Sequence, residues 1–552
     1  MPFSRRSAIA FAGLVVLIVG ARRCAGHDPT AQRAQRDRAV ALAQALQNSE
    51  PAPVKNAGAG SCRLTIKLML EPVQRPVSGL VRVTNLVTGK AIAFGDEILR
   101  DRNWYALPAQ ATLVVPRTRL KVEAFQGLET NLAAHEIDLS GKDNETLTIS
   151  LKQFYSAEAQ GLRAGNTHLH LMKLTHAEMD RYLRLVPQAD GLDLVFVSLL
   201  RRIPDERDYI SNTLTAGDLG RLSQAGVLFG NGEEHRHNFG PGGEGFGHVM
   251  LLNILKQIEP VSIGPGIMKE GTDGIPLQRG IQTARQDGAT VIWCHNTFGH
   301  EDIPNWVAGL LHAQNIFDGG DHGTYEDTFY RYLNVGMRVP FSTGTDWFIY
   351  DFSRVYVPIS GELTSKRWLA ELAAGKSYIT NGVLLEFSAG GKPIGETLAT
   401  SVGDELPIVG RAIGRNDFGR IELIHNGRVI HSVNARQSEG HFMADLNHSL
   451  HVDGPGWLAL RIPTAGQNEL GKPLFGHTSP IYITVNGQRL FRSDVARGLL
   501  AEMEVSQQQI KEKASFANAE EREAVLRVYR EGVAVLQGQI DKHSTSSKAG
   551  AK

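Results

Sequence analysis

Cysteine is the scarcest residue in this 552-residue chain: only Cys24, Cys62 and Cys294 occur. Three thiols so far apart exclude a disulfide framework and a zinc knuckle built from Cys. Neither sign of charge is in excess, since 58 Lys and Arg balance 58 Asp and Glu. A dedicated nucleic-acid binder displaces counterions with a basic surplus, so that class is excluded. Long apolar runs are also missing. Only Ala8–Gly20 is continuous, and it falls short of the roughly 20 residues a membrane span needs. Neither H-e-x-x-H nor G-x-S-x-G is present. Ala370 stands where a P-loop needs its first Gly, ahead of Gly375-Lys376-Ser377. The G-x-G-x-x-G letters at Gly240–Gly245 enclose a Pro and follow no strand, so they do not make a dinucleotide site.

Histidine is plentiful. Ten of the 19 lie between His168 and His322, and that stretch is where chemistry is to be sought. At the N-terminus, Arg5 and Arg6 precede the Ala8–Gly20 run, and the small residues Ala25 and Gly26 follow it. This reads as a cleavable signal peptide over residues 1–26. The expected location is periplasmic or secreted, with no stable membrane span in the mature chain.

Hydrophobic rhythm divides the rest. A helix and a linker rich in Pro, Gly and Ala cover residues 27–61. Period-two alternation over 62–155, as in Arg63-Leu-Thr-Ile-Lys-Leu, predicts a small antiparallel β-sandwich. Over 160–383 apolar strand-like runs alternate with helical ones. The expected strands include His168–Leu171, Leu192–Val197, Val227–Phe229, Val249–Leu252, Thr290–Trp293 and Val339–Ser342. The expected helices include Arg279–Gln286, Trp306–Gln314, Glu326–Asn334 and Lys366–Ala374. That order predicts a parallel α/β layer or barrel, with functional groups at the C-terminal strand ends. A second β-sandwich is expected over 384–488, with Asn-Gly turns at Asn426 and Asn486. A helical pair is expected over 489–542 and a disordered tail over 543–552.

Chemistry-bearing residues recur at the strand ends of the central region. His168 and His170, at i and i+2 on a strand, project from one face, and paired neutral imidazoles suit a metal ion. Glu233 and Glu234 follow the next strand, and residue chemistry alone does not separate them. His248 opens a strand, His295 closes one, and Asp346 follows another. Cys294, next to His295, points to the opposite face and reads as a small apolar residue. His235 and His237 read as part of an active-site loop.

The ordered set His168-x-His170, His176, Gly232-x-Glu234, Gly247-His248, His295 and Gly344-x-Asp346 resembles the PHP (polymerase and histidinol phosphatase) superfamily, and within it the CehA/McbA-type metallohydrolases. The stretch from Leu363 to Gly382 and the Ile421-Glu-Leu-Ile-His-Asn-Gly run strengthen the likeness, which covers about residues 160–485. It implies a multidomain α/β protein: a distorted seven-stranded β/α barrel flanked by N- and C-terminal β-sandwich domains. It also implies that His168, His170 and Asp346 bind a first metal, and that Glu234 bridges to a second held by His248 and His295. Asn166 replaces the family's opening Asp. Leu200 and Phe348 stand where further His ligands belong, so two divalent ions (Zn, Mn or Fe) are expected instead of three. His176, Arg201 (or its neighbour Arg202) and His235 are then expected to contact substrate.

The function implied is an exported metal-dependent hydrolase that cleaves phosphoester or carboxylic or carbamate ester bonds with a metal-activated hydroxide. Its substrate would be a small molecule or a glycan-linked ester, with no nucleic-acid partner. The competing reading is a non-catalytic exported metal-binding or carbohydrate-binding multidomain protein. The export reading is tested by fusing residues 1–30 to a reporter. The fusion is expected outside the cytoplasm, and cytoplasmic retention refutes it.

Overall fold

The computed structural model describes residues 60–549 apart from 96, 201–213, 225, 238–244, 261, 264–270, 296–298 and 321–322. The signal-peptide segment, almost all of the helix and linker, and Arg201 and Arg202 lie outside the described residues. The described part is a strand-rich α/β molecule with several sheets and a C-terminal helical pair.

The N-terminal unit has two sheets. In Ser61–Glu71 alternate residues turn inward, from Cys62 and Leu64 to Leu70. They meet Val115, Leu113 and Ala111 of Gln110–Pro116. The second sheet pairs Ile98–Arg100, Trp104–Leu107, Gly79–Asn85, Arg119–Phe125 and Ala133–Asp138 in antiparallel fashion. One feature departs from the antiparallel expectation. The last strand, Asn144–Lys152, runs parallel to the first. The chain leaves their sheet and returns to it twice, first as Gln110–Pro116, which is antiparallel to the first strand, and then as this last one.

The central region contains β1 (Leu162–His170), β2 (Leu194–Leu199), β3 (Leu228–His237), β4 (Gly247–Leu252), β5 (Thr290–Trp293), β6 (Ala313–Asn315), β7 (Phe341–Ser342) and β8 (Asp346–Trp347). Helices α1 (His176–Ala189), α2 (Ala216–Ser223), α3 (Leu277–Gln286) and α4 (Asp302–Val307) lie between them. Pairing passes from β1 through β2, β3, β4, β5 and β6 to β7. Residues 345–348 then return to β1: Thr345 N–H donates to His168 O at 3.0 Å, Phe348 N–H donates to His170 O at 2.9 Å, and β8 pairs with β1.

The sheet is not wholly parallel, because β4 runs antiparallel to both β3 and β5. The short link from β3 to β4 leaves no room for the dozen-residue crossover that parallel strands need. The expected helix Trp306–Gln314 is also corrected. Helix α4 ends at Val307, Gly309 takes a left-handed φ of 66°, and residues 313–315 form β6.

The boundary expected between 383 and 384 is crossed by a sheet. Tyr378–Thr380 pairs with Arg354–Pro358 on one side and Gly476–Thr478 on the other, so the second sandwich continues the central sheet. Its Asn426-Gly427 hairpin has φ of 52° and 87°, as a type I′ turn requires. Helix α5 (Ser365–Ala373) precedes this unit. The C-terminal helices α6 (Ser493–Lys513) and α7 (Ala519–Ala549) follow it, and α7 runs through much of the tail expected to be disordered. Leu499, Met503, Tyr529 and Leu536 bury their side chains in the same core as Trp293 and Ile303.

Buried ions join the units. Arg100 donates to both oxygens of Asp190 at 2.7 and 3.1 Å, fastening the first sandwich to the end of α1. Arg354 donates to the backbone carbonyl of Asp190 at 2.7 Å. Removing one partner of such a pair costs about 3–5 kcal/mol, because the other charge stays buried.

Glu301 caps α3 from a distance: Leu277 N–H and Gln278 N–H donate to it at 3.0 and 2.9 Å. Burial is the dominant effect and pushes its carboxyl from 4.5 up to about 7, despite those bonds. A carboxyl raised on folding stabilises the fold fully below its unfolded pKa and loses that contribution as pH climbs through the folded value, by ~3 kcal/mol. Melting temperature should therefore fall between about pH 5 and 8 through this group. Glu301→Gln should flatten that dependence. Superimposable curves for parent and variant would disprove the assignment.

Candidate metal centre

The six expected ligands meet at one end of the ring. Five of them come from four strands: His168 and His170 close β1, Glu234 lies in the second half of β3, His295 follows β5 and Asp346 opens β8. In β1 the i, i+2 spacing places His168 and His170 on the same inward face, both fully buried. In β3 alternation separates the two neighbouring glutamates. Glu234 faces the histidines, while Glu233 faces outward, where it accepts from Ile258 N–H at 2.9 Å and pairs with His235 Nδ1 at 2.9 Å. His248 opens β4, yet it reaches the rim that the other strands reach at their ends, because β4 runs the opposite way.

The donor atoms converge in two sets. Around the first, His168 Nε2 and His170 Nε2 are 3.1 Å apart. His170 Nε2 is 3.0 Å and His168 Nε2 3.9 Å from Glu234 Oε2. Asp346 Oδ1 stands 3.3 Å from His168 Nε2 and 3.6 Å from His170 Nε2. Tetrahedral ligands at Zn–N distances of 2.0–2.1 Å would be separated by roughly 3.3 Å, which these spacings bracket. In the second set, Glu234 Oε1 lies 3.1 Å from His248 Nδ1 and 3.4 Å from His295 Nε2. The two oxygens of one carboxylate therefore serve one set each.

The groups behind the imidazoles fit these residues to a cation. His168 Nδ1 is 2.8 Å from Asp318 Oδ2, and His170 Nδ1 is 2.8 Å from the carbonyl of Ser198. Both neighbours are acceptors, so each Nδ1 carries the hydrogen and each Nε2 turns a lone pair inward. Asp346 Oδ1 joins them, buried and without a hydrogen bond. Lone pairs packed this closely repel unless positive charge sits among them. Burial opposes ionisation of Glu234. The Arg236 charge and the neighbouring imidazoles of His170, His248 and His295 outweigh it and hold the carboxyl well below its usual range. Burial, reinforced by Arg236, holds the His248 imidazole well below its usual value. His248 therefore stays neutral, the form that binds metals.

Backbone conformation contributes to the placement. His295 and Asp346 have φ of 55° and 56°, a region uncommon for residues other than Gly. Leaving the strand in this way turns each side chain into the ring. Such conformations cost about 1–3 kcal/mol and collect at functional sites. Gly344 lets the β7–β8 turn pass His168, where an added Cβ would lie 2.5 Å from the histidine Cβ.

Other expected site residues fall elsewhere. His235 does not face the donors. It lies behind β3 with Glu233, its ring against α3, where a Cβ on Gly280 would come within 2.1 Å of Nε2. His237, two residues on, is 2.5 Å from the carbonyl of Ile275 on that same side. His176 sits exposed in the first turn of α1 and joins neither donor set. Phe348 is buried in the apolar core with its ring edge-on to Tyr182 at 5.6 Å, and Leu200 is buried too. Cys294 lies within reach of His168 and Asp318, but burial pushes its thiol well above the usual range, as expected of an apolar filler.

Two residues escaped sequence reading. Asp318 follows β6, a strand read as helix, so no strand end marked it. Arg236 was passed over between two histidines, yet it shares the inward face of Glu234 and pairs in register with His248. No family model and no curated protein matches the chain.

Opposite faces for the two glutamates give a direct test. Glu234→Gln should weaken metal binding in both sets, because an amide offers one acceptor where the carboxylate offers two. Glu233→Gln should leave stoichiometry at the parent value. Calorimetric titration with Zn2+ measures both, and the reverse pattern would place the register wrong by one residue.

Proposed function

We propose that this protein is a hydrolase of the PHP type that cleaves ester bonds, phosphoester or carboxylic and carbamate, with two divalent ions. The observation that carries the proposal is the division of Glu234, with one oxygen toward His168 and His170 and the other toward His248 and His295. Support also comes from the ring of pairings, whose strand succession matches a seven-stranded barrel if β7 and β8 count as one interrupted strand.

His168, His170 and Asp346 would hold one ion and His248 and His295 the other, with Glu234 between them. Ions bound there would supply Lewis acidity and bring water's pKa toward neutrality. The protein's own groups do the rest. Asp318 and the Ser198 carbonyl keep the first two imidazoles in the ligating tautomer. Buried Arg236 gives the rim positive charge that favours an anionic substrate. Trp347, half-buried and 5.1 Å from the His170 ring, offers an apolar wall for a leaving group. Export places the substrate outside the cytoplasm.

Purified protein should carry about two divalent ions per chain and hydrolyse at least one member of a panel of nitrophenyl phosphate, phosphodiester, acetate and carbamate esters. A chelator should abolish turnover, and the His168→Ala, His170→Ala double variant should empty the first set. Two bound ions without hydrolysis of any ester would establish the non-catalytic metal-binding reading instead.

A further inference from the structure

One buried carboxylate belongs to neither donor set and touches both. Asp318 Oδ2 lies 2.8 Å from His168 Nδ1 and accepts from Asn315 Nδ2 at 3.0 Å. Its Oδ1 accepts from the His295 backbone N–H at 3.1 Å and stands 3.6 Å from His295 Nδ1. Asp318 is fully buried. His168 belongs to the first set and His295 to the second, while Glu234 joins the sets from the other side.

We infer that Asp318 is a shared positioning residue that makes the two metal positions interdependent. The inference rests on the two-ion reading of the centre. A carboxylate behind a ligating imidazole holds its proton on the far nitrogen, leaves the near one as a lone pair and raises its basicity. Here one carboxylate does this for His168 and, by accepting the His295 backbone N–H, fixes the turn that carries a ligand of the other ion. Ordering His168 around the first ion fixes Asp318, so His295 is already oriented when the second arrives, and the ordering cost is met once. His170 Nδ1 faces the Ser198 carbonyl and not this carboxylate.

An amide cannot replace this group. Asparagine offers one acceptor and one donor. If its NH2 takes the Oδ2 position, it confronts the His168 Nδ1 proton and the Asn315 amide. If it takes the Oδ1 position, it confronts the His295 N–H. In the first case the relief is to move the imidazole proton to Nε2, the atom that must ligate.

The test is titration of chelator-stripped full-length protein with Zn2+ alone, together with the visible spectrum of the Co2+-loaded form. Wild type should bind two ions with positive cooperativity. Asp318→Asn should weaken both positions by about 10–100-fold, lose the cooperativity and alter the Co2+ bands of both ions, which a purely structural role would not do. Asn315→Ala, which removes the amide steadying Oδ2 and an acceptor for Thr167 Oγ1, should shift both positions in the same direction by less, and it carries the test if Asp318→Asn fails to fold. Unchanged affinities in both variants, or loss confined to one position, would overturn the coupling. Failure of the wild type to bind two ions would instead overturn the reading of the centre on which it rests.

Discussion

Like-charged lone pairs brought together in a dry interior are the constraint on which the centre depends. Three carboxylates and four imidazoles occupy one end of the ring, all of them buried. Water cannot screen them, so the arrangement survives only if protons or cations lie between. Asp318 and the Ser198 carbonyl stand behind His168 and His170 as acceptors, which favours a proton on each Nδ1 and a lone pair on each Nε2. Left-handed turns at His295 and Asp346 add strain in the same place. The fold therefore stores unfavourable energy in this cluster and offsets it with the apolar packing around it.

That packing comes from every part of the chain. One hydrophobic core runs from the strands of the ring to Trp457 of the second sandwich and Tyr529 of α7. The first sandwich is fixed by the Arg100–Asp190 pair, and the second by the sheet that crosses Tyr378–Thr380. A centre whose donors must hold within a few tenths of an ångström needs such backing, because a loose rim would let the imidazoles rotate away.

Much of this was legible in the residues. Period-two alternation marked both sandwiches. The i, i+2 spacing of His168 and His170 implied a shared face. What failed did so for local reasons. Ala308-Gly309-Leu310-Leu311 carries a helical pattern on its apolar residues, but Gly309 ends the helix, so β6 and the Asp318 beyond it went unread. His235 and His237 read as a loop because the strand containing them is polar; it stays a strand because both its neighbours supply partners.

By itself the sequence determined which atoms are available, imidazole and carboxylate without thiolate, and the strand periodicity that sorts side chains to one face or the other. It also set the order in which those atoms arrive. Tertiary structure alone decided which face is inside and which rim each strand end reaches. Glu233 and Glu234 are chemically identical, and only the packing of β3 against α3 turns one toward the histidines and makes the other an anchor. His248 opens its strand and joins His170 and His295, which lie where theirs end, because β4 reverses direction. Asp318 acts on histidines 150 and 23 positions away. Such contacts depend on how the ring closes, and no local pattern encodes that closure, since it is the sum of many long-range pairings.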